Sequence, residues 1–135
     1  MTGIVILLGR TPVFYHSKRQ GAVETSTYSA EFMAMRTAVE EIIALRYMLR
    51  CLGVRVKHST YLYGDNMGVI QNATIKDSLL KKKHVALSYH RVREAVASSI
   101  IYPIKIKSRD NYADMLTKSL VQTDFDRHVG QLFYG

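Results

Sequence analysis

The 135-residue chain is long enough for one domain with a buried core, and 19 Lys and Arg against 11 Asp and Glu give it a net charge of +8. This basic balance indicates an anionic partner, most often nucleic acid, with a surface that serves only solubility as the alternative. A single cysteine, Cys51, excludes an intrachain disulfide, and no apolar stretch reaches the ~20 residues of a membrane span or resembles a secretory signal.

A β-hairpin and one long helix are expected first along the chain. Residues 3–9 (GIVILLG) form an apolar, β-branched run without alternation, which predicts a strand covered on both faces. A turn at residues 9–12 and a second strand over residues 13–17 complete the hairpin. Residues 25–53 contain no Pro or Gly before Gly53, so they predict a helix that ends there.

The predicted core stripe of this helix includes a carboxylate. Glu31 falls on the core-facing side in the first turn, after an N-cap supplied by Thr25, Ser26 or Thr27. Such a carboxylate is costly unless something compensates it. Glu31 is therefore either near the surface end of the stripe, favoured by the helix dipole, or a metal ligand at the rim of a core. The apolar members of the stripe are Met35, Ala38, Ile42, Leu45, Leu49 and Leu52.

A strand and a second long helix are expected in the middle of the chain. Residues 60–64 (TYLYG) are aromatic and β-branched, and a short helix over residues 67–73 follows them. Asp65 lies at this boundary, where it is either a helix N-cap or a functional carboxylate. The next helix is predicted over residues 79–98, after Asp77 or Ser78 as its cap, with a core stripe of Val85, Tyr89, Val92 and Val96.

The beginning of this second helix is strongly basic. Cations at a helix N-terminus oppose the helix dipole, so local helix stability does not explain them. An external polyanion would explain them, and a merely solvated face is the alternative. The basic residues are Lys81, Lys82, Lys83 and His84, followed by His90, Arg91 and Arg93.

A strand and two short helices are expected in the last third. Residues 101–107 alternate apolar and basic side chains, and Pro103 places this strand near a sheet edge. A loop then enters a helix that Asp110 or Asn111 can cap, with Asp114 in its first turn, where acids are common. The tail contains one more short helix around residues 125–133 and no recognisable site.

Each of the three carboxylates has a simple structural explanation, but together they form a pattern. Glu31, Asp65 and Asp114 lie at a helix start, a strand end and the opening of a late helix. If they converge at the carboxyl edge of a sheet, they repel one another unless divalent cations lie among them. Oxygen ligands of this kind select Mg²⁺ or Mn²⁺, and two such ions ~4 Å apart are the usual arrangement for phosphodiester hydrolysis.

Several segments, in order, resemble the ribonuclease H domain at the C-terminal end of copia-type retrotransposon polyproteins. They cover most of the chain and are YHSKRQ (residues 15–20), ETSTYSAEFMA (24–34), YGDN (63–66), KH with YHRVRE (83–84 and 89–94) and NYADMLTK (111–118). The resemblance implies an α/β ribonuclease H-like fold in which helices flank a mixed five-stranded sheet. It also implies one such domain over residues 1–135, with residues 121–135 as a C-terminal tail.

The resemblance further implies cleavage of the RNA strand of RNA–DNA hybrids during reverse transcription, with two Mg²⁺ or Mn²⁺ ions. By motif, Glu31, Asp65 and Asp114 match the family's catalytic metal ligands, while water is the nucleophile. The expected partners are RNA–DNA hybrid or other nucleic acid and the rest of a reverse transcriptase polyprotein. The expected location is intracellular, in cytoplasmic virus-like particles or the nucleus, without membrane attachment or secretion. Phosphate contacts that do not read sequence are expected from Lys81, Lys82, Lys83, His84, His90, Arg91 and Arg93.

The chain departs from the family at its beginning. The family carries a fourth acid on an opening strand in mid-sheet, whereas no Asp or Glu occurs here before Glu24. We therefore expect an N-terminally incomplete domain with a gap in its sheet, prone to self-association through the open strand edges. Three hypotheses follow: a ribonuclease H that is active once an upstream strand is supplied, a non-catalytic nucleic-acid-binding remnant of a decayed element, or a translated relic that folds only marginally.

Overall fold

A computed structural model describes residues 2–19, 27–65 and 83–134, with backbone alone for residues 27–31 and 83–85. The described chain forms two compact units, Met1–Val23 with Ile106–Gly135 and Glu24–Lys105. The single ribonuclease H-like domain expected from the sequence stays a prediction. In chain order the elements are β1 (Thr2–Leu8), β2 (Thr11–Lys18), α1 (Thr27–Cys51), β3 (Thr60–Gly64), α2 (Lys83–Ala97), β4 (Ile101–Lys105), the 3₁₀ helices Ser108–Asp110 and Tyr112–Leu116, and α3 (Gln122–Phe133).

The first unit contains the predicted hairpin. β1 pairs antiparallel with β2, and Gly9 makes the turn with a φ of 65°, which glycine adopts without strain. Ile4 and Ile6 are buried, whereas Val5 between them is only half-buried. The second face of this strand, which carries Gly3, Val5 and Leu7, is therefore covered only in part rather than fully as expected, because an unbroken apolar run does not show how deeply each position packs.

The 3₁₀ helix Tyr112–Leu116 packs closely against β1 in the same unit. A Cβ atom on Gly3 would lie 2.8 Å from the carbonyl oxygen of Ala113, so only glycine allows this approach. The hydroxyl of Ser17 on β2 also donates a hydrogen bond of 2.7 Å to the carbonyl oxygen of Leu116. The hairpin and the helix that carries Asp114 are thus held together by backbone proximity and a side-chain hydrogen bond.

Packing of α1 against α2 organises the second unit. The rings of Phe32 and Tyr89 meet edge to face with centroids 5.4 Å apart, and Val39 and Val92 are fully buried. Of the predicted α1 stripe, Met35, Ala38 and Ile42 are buried and Leu45 and Leu49 half-buried.

Leu52 was expected to complete that stripe, and this prediction is wrong. Leu52 is 73 % exposed because α1 ends one residue earlier, at Cys51. Gly53 then adopts a φ of 80° and the amide of Val54 donates to the carbonyl of Leu49, which closes the helix end before Leu52 can reach the core.

The second unit also contains β3 and β4, which pair in parallel. Tyr61 lies opposite Tyr102, and Ile101 and Pro103 are buried. The structure is thus mixed α/β, but its described strands form two separate two-stranded sheets rather than one mixed sheet. Within the described ranges, no strand pairs with the second edge of β1 or of β3, and so no strand joins the two sheets. None of the helices in those ranges is both long and apolar enough to span a membrane.

Candidate functional site

Glu31 is the fifth residue of α1 and immediately precedes the buried Phe32. It follows the first helical turn rather than lying in it, because Thr27 is already helical, and this corrects the sequence-based placement. Position 31 lies one turn before the buried Met35, so the backbone places it in line with the core-facing side of α1. Its side chain is not described, and its role as a ligand stays a prediction.

Asp65 directly follows Gly64, the last residue of β3, and its side chain is half-buried. The predicted position at the carboxyl end of a strand is therefore confirmed. A carboxylate at such a strand end can face a ligand while β3 itself stays fixed by its pairing with β4. The short helix expected over residues 67–73 lies outside the described ranges, so the alternative role of Asp65 as its N-cap stays open.

Asp114 lies in the first turn of a helix as expected, here the 3₁₀ helix Tyr112–Leu116. Of the two expected caps, Asp110 and Asn111, it is Asn111 that caps this helix, since its side-chain oxygen accepts a hydrogen bond of 3.1 Å from the amide of Ala113. The carboxylate of Asp114 is only 13 % exposed and forms an ion pair of 3.3 Å with Lys118, whose side chain is 57 % exposed. Asp114 is therefore a largely buried carboxylate whose described cationic partner extends into solvent.

Convergence of the three acids stays a prediction. Among side chains that the structure describes, no three His, Cys, Asp or Glu residues lie close enough to hold a metal ion together. This observation does not cover the side chain of Glu31. Glu31 and Asp65 belong to the unit Glu24–Lys105, whereas Asp114 belongs to the other unit. Asp65 and Asp114 supply hard oxygen donors of the type that Mg²⁺ and Mn²⁺ prefer.

The basic residues on α2 are described only from His90 onward. His90 and Arg93 are exposed, and around the helix His90 lies nearly opposite the buried Val92 whereas Arg93 lies on the flank. Arg91 is half-buried and forms an exposed ion pair of 3.4 Å with Glu94, so part of its charge is neutralised within the helix. Lys81 and Lys82 lie outside the described ranges, and for Lys83 and His84 only the backbone is described.

Sequence reasoning missed one arginine that organises the second unit. Arg46 on α1 donates hydrogen bonds of 2.9 Å to the carbonyl oxygen of His58 and 3.0 Å to the hydroxyl of Thr60. These bonds attach the segment before β3 to the long helix. No motif could have revealed this contact, because its partners are a backbone carbonyl and a common hydroxyl that lie 12 and 14 residues further along the chain, beyond the end of α1.

We predict that the Asn111 cap controls local opening around Asp114. Asn111→Ala removes the acceptor for the Ala113 amide and should cost about 1 kcal/mol locally, or roughly fivefold faster hydrogen exchange at Ala113 and Thr117. Asn111→Asp keeps an acceptor at the same position and should exchange like the unmodified protein. Equal exchange in the alanine variant would show that the cap does not hold this helix.

Comparison with known proteins relates the chain to transposon polyproteins. It is 30 % identical over 131 residues to the retrovirus-related Pol polyprotein from transposon RE2 of Arabidopsis thaliana, a match that covers 95 % of this chain and 9 % of that protein. The corresponding protein from transposon RE1 of the same plant is 28 % identical over 130 residues, covering 96 % of this chain and 9 % of the relative. The retrovirus-related Pol polyprotein from transposon TNT 1-94 of Nicotiana tabacum is 30 % identical over 125 residues, which cover 93 % of this chain and 9 % of that protein.

No protein-family model and no solved structure matches the chain. The chain spans about 9 % of the length of the curated relatives it matches. Nearly its whole length is thus similar to one short region of retrovirus-related Pol polyproteins from plant transposons.

Proposed function

We propose that the chain is the ribonuclease H region of a retrotransposon Pol polyprotein, which hydrolyses the RNA strand of RNA–DNA hybrids. The similarity to Pol polyproteins over 93–96 % of the chain supports the polyprotein origin and carries the proposal. The motifs around Glu31, Asp65 and Asp114 support the assignment of the region to ribonuclease H. The location of Asp65 at a strand end agrees with the role that those motifs imply.

Glu31, Asp65 and Asp114 would hold the metal ions in this proposal. Asp114 is suited to the role because its carboxylate is largely buried while its partner Lys118 is mostly exposed. An ion pair with so exposed a cation contributes little to stability, so the Lys118 ammonium can move away at small cost. Bound Mg²⁺ or Mn²⁺ supplies an activated water and stabilises the leaving oxygen. The protein contributes the positions of the carboxylates.

Two exposed polar residues of α2 would contact the phosphate backbone, Arg93 as a cation and His90 as a hydrogen-bond donor. His90 and Arg93 project from the side of α2 that does not pack in the core, as a surface for an external ligand requires. The net charge of +8 adds a sequence-independent attraction to any polynucleotide. A non-catalytic nucleic-acid-binding protein is the second candidate, because the net charge of +8 favours binding to a polyanion without requiring a metal site.

We predict that Lys81, Lys82 and Lys83, the last of which begins α2, set the salt dependence of binding to an RNA–DNA hybrid. Each phosphate contact contributes about −0.9 to the log–log salt slope on duplex DNA, so replacing Lys81, Lys82 and Lys83 with Ala should flatten the slope by up to ~2–3. The control replaces the exposed Arg10, Lys18 and Lys107 with Ala, which removes the same charge elsewhere. Equal flattening in both triple variants would assign the effect to net charge alone.

We predict that the 135-residue chain by itself cleaves labelled RNA–DNA hybrid little or not at all in millimolar Mg²⁺. The physical reason is that a metal with too few anionic ligands binds weakly and positions water poorly. An in-frame strand that carries an aspartate, fused before Met1, should raise the melting temperature and start cleavage together. The matched control is the same strand with Asn in place of its aspartate, which should stabilise without cleavage.

Asp65→Asn in the fused protein provides the second control and should abolish cleavage. Strong cleavage by the unfused chain that Asp65→Asn abolishes would show that a substitute ligand exists. A fused protein that is stabilised, binds the hybrid and still does not cleave it would favour the non-catalytic candidate.

A further inference from the structure

Three tyrosines form an exposed aromatic surface on one face of the β3–β4 sheet. Tyr61, Tyr63 and Tyr102 are 60 %, 53 % and 56 % exposed. The ring centroid of Tyr61 lies 6.3 Å from that of Tyr63 and 6.2 Å from that of Tyr102, in both cases edge to face. The parallel register places Tyr61 directly opposite Tyr102, so these rings form one continuous group, here called the tyrosine face.

Folding alone does not account for the tyrosine face. The opposite face of the same two strands is the buried one, where Ile101 and Pro103 lie. A strand that is buried on one side usually carries polar residues on the other, and parallel sheets are usually covered on both faces. Here the outer positions carry large aromatic rings that remain more than half exposed. Such a group of exposed rings is typical of a binding surface.

A basic segment is fixed at the amino end of the tyrosine face. Arg55 and Lys57 are exposed, and the chain next to them is held at two points. Arg46 donates to the carbonyl oxygen of His58, as described above, and the hydroxyl of Ser59 donates a hydrogen bond of 2.8 Å to the carbonyl oxygen of Ser99, just before β4. The segment that carries the two cations therefore leads directly into β3, whose second pair with β4 is Tyr61–Tyr102.

The charge of this unit selects the partner. Residues 24–105 contain twelve Lys and Arg against seven Asp and Glu, an excess of five positive charges. Exposed rings beside cations suit a ligand that has both aromatic faces and negative charge. Unpaired nucleotides have both, whereas in a duplex the base faces are stacked against one another and are not accessible.

We propose that the tyrosine face binds single-stranded nucleic acid by stacking unpaired bases on Tyr61, Tyr63 and Tyr102, while Arg55 and Lys57 contact the phosphates. This site differs from the proposed metal site and from the basic surface of α2, and it does not depend on hydrolysis. The strand polarity of the protein puts the phosphate contacts at the amino end of β3, and Asp65 at its other end.

The test measures binding of a fluorescent oligothymidylate of about twelve nucleotides, by anisotropy at fixed low salt, to the whole chain and its variants. Tyr61→Ala should weaken binding by roughly 5- to 150-fold, as expected for the loss of one stacking ring. The matched control is Tyr47→Ala, which removes a tyrosine that is 68 % exposed on α1 of the same unit, and it should leave the affinity unchanged. Both substituted side chains are more than half exposed, so circular dichroism should show the same fold in each variant.

Two further variants separate stacking from simple apolar contact. Tyr61→Phe keeps the ring and should bind like the unmodified chain, whereas Tyr61→Leu keeps apolar area without a ring and should bind as weakly as Tyr61→Ala. Leucine and phenylalanine variants of equal affinity would overturn the proposal and indicate a surface for an apolar polypeptide. Equal effects of Tyr47→Ala and Tyr61→Ala would overturn it as well.

Photocrosslinking tests the unmodified chain without any risk of misfolding. An oligonucleotide that carries bromouracil should crosslink to peptides containing Tyr61, Tyr63 or Tyr102, and crosslinks confined to α2 would contradict the proposal. Binding of RNA–DNA hybrid that depends on Lys81, Lys82 and Lys83 but not on Tyr61 would leave the proposed function intact. If the affinity for the single-stranded oligonucleotide is then also unchanged in Tyr61→Ala, the role of the tyrosine face is wrong and the proposed function stands.

Discussion

Strand pairing is the constraint on which the rest of this structure depends. A buried strand needs hydrogen-bond partners for its backbone groups on both edges, and each strand in the described ranges has one such neighbour. β1 pairs with β2, and β3 pairs with β4, in two separate sheets. An open edge accepts an additional strand from the same or another chain and is also a common origin of aggregation. The edge of β3 matters most for function because Asp65 follows that strand directly.

The two units position their acids by different means. In the unit Glu24–Lys105, the contact of Phe32 with Tyr89 fixes α1 beside α2, which also fixes the backbone at position 31. The pairing of β3 with β4 fixes the backbone that leads into Asp65. In the other unit, the position of Asp114 depends on a short 3₁₀ helix with the Asn111 cap. Glu31 is thus part of a helix of 25 residues, Asp65 follows a paired strand, and Asp114 lies on a 3₁₀ helix of five residues.

The sequence predicts best those features that periodicity controls. The hairpin, both long helices, the β3 and β4 strands and the C-terminal helix are all found near the predicted ranges, because apolar spacing and glycine stops are local signals. The cap of the 3₁₀ helix Tyr112–Leu116 was narrowed to Asp110 or Asn111 for the same reason, and the structure selects Asn111. Leu52 was misplaced because a helical wheel does not show where the chain leaves the helix, and the geometry at Gly53 decides that.

Features that depend on distant residues could not be predicted in this way. The aromatic strand at Tyr61 and Tyr63 was recognised as a strand, but the pattern does not tell which of its faces meets the core. The hydrogen bonds of Arg46 connect residues that only folding brings together. The close approach of the 3₁₀ helix to Gly3 is likewise tertiary. The candidate acids could be found because their motifs are local in the sequence. Their convergence could not be derived in the same way, because it depends on tertiary structure.

Paramagnetic broadening by Mn²⁺ tests most directly whether Glu31, Asp65 and Asp114 form one metal site. Amide resonances of these three residues should lose intensity together during a Mn²⁺ titration, with one common midpoint, even if binding is weak. Asp65→Asn should move that midpoint to higher Mn²⁺ for Glu31 and Asp114 as well, since one ion would contact ligands from all three positions. Separate midpoints, or broadening at Glu31 and Asp114 that Asp65→Asn leaves unchanged, would show that the three carboxylates do not share a metal site.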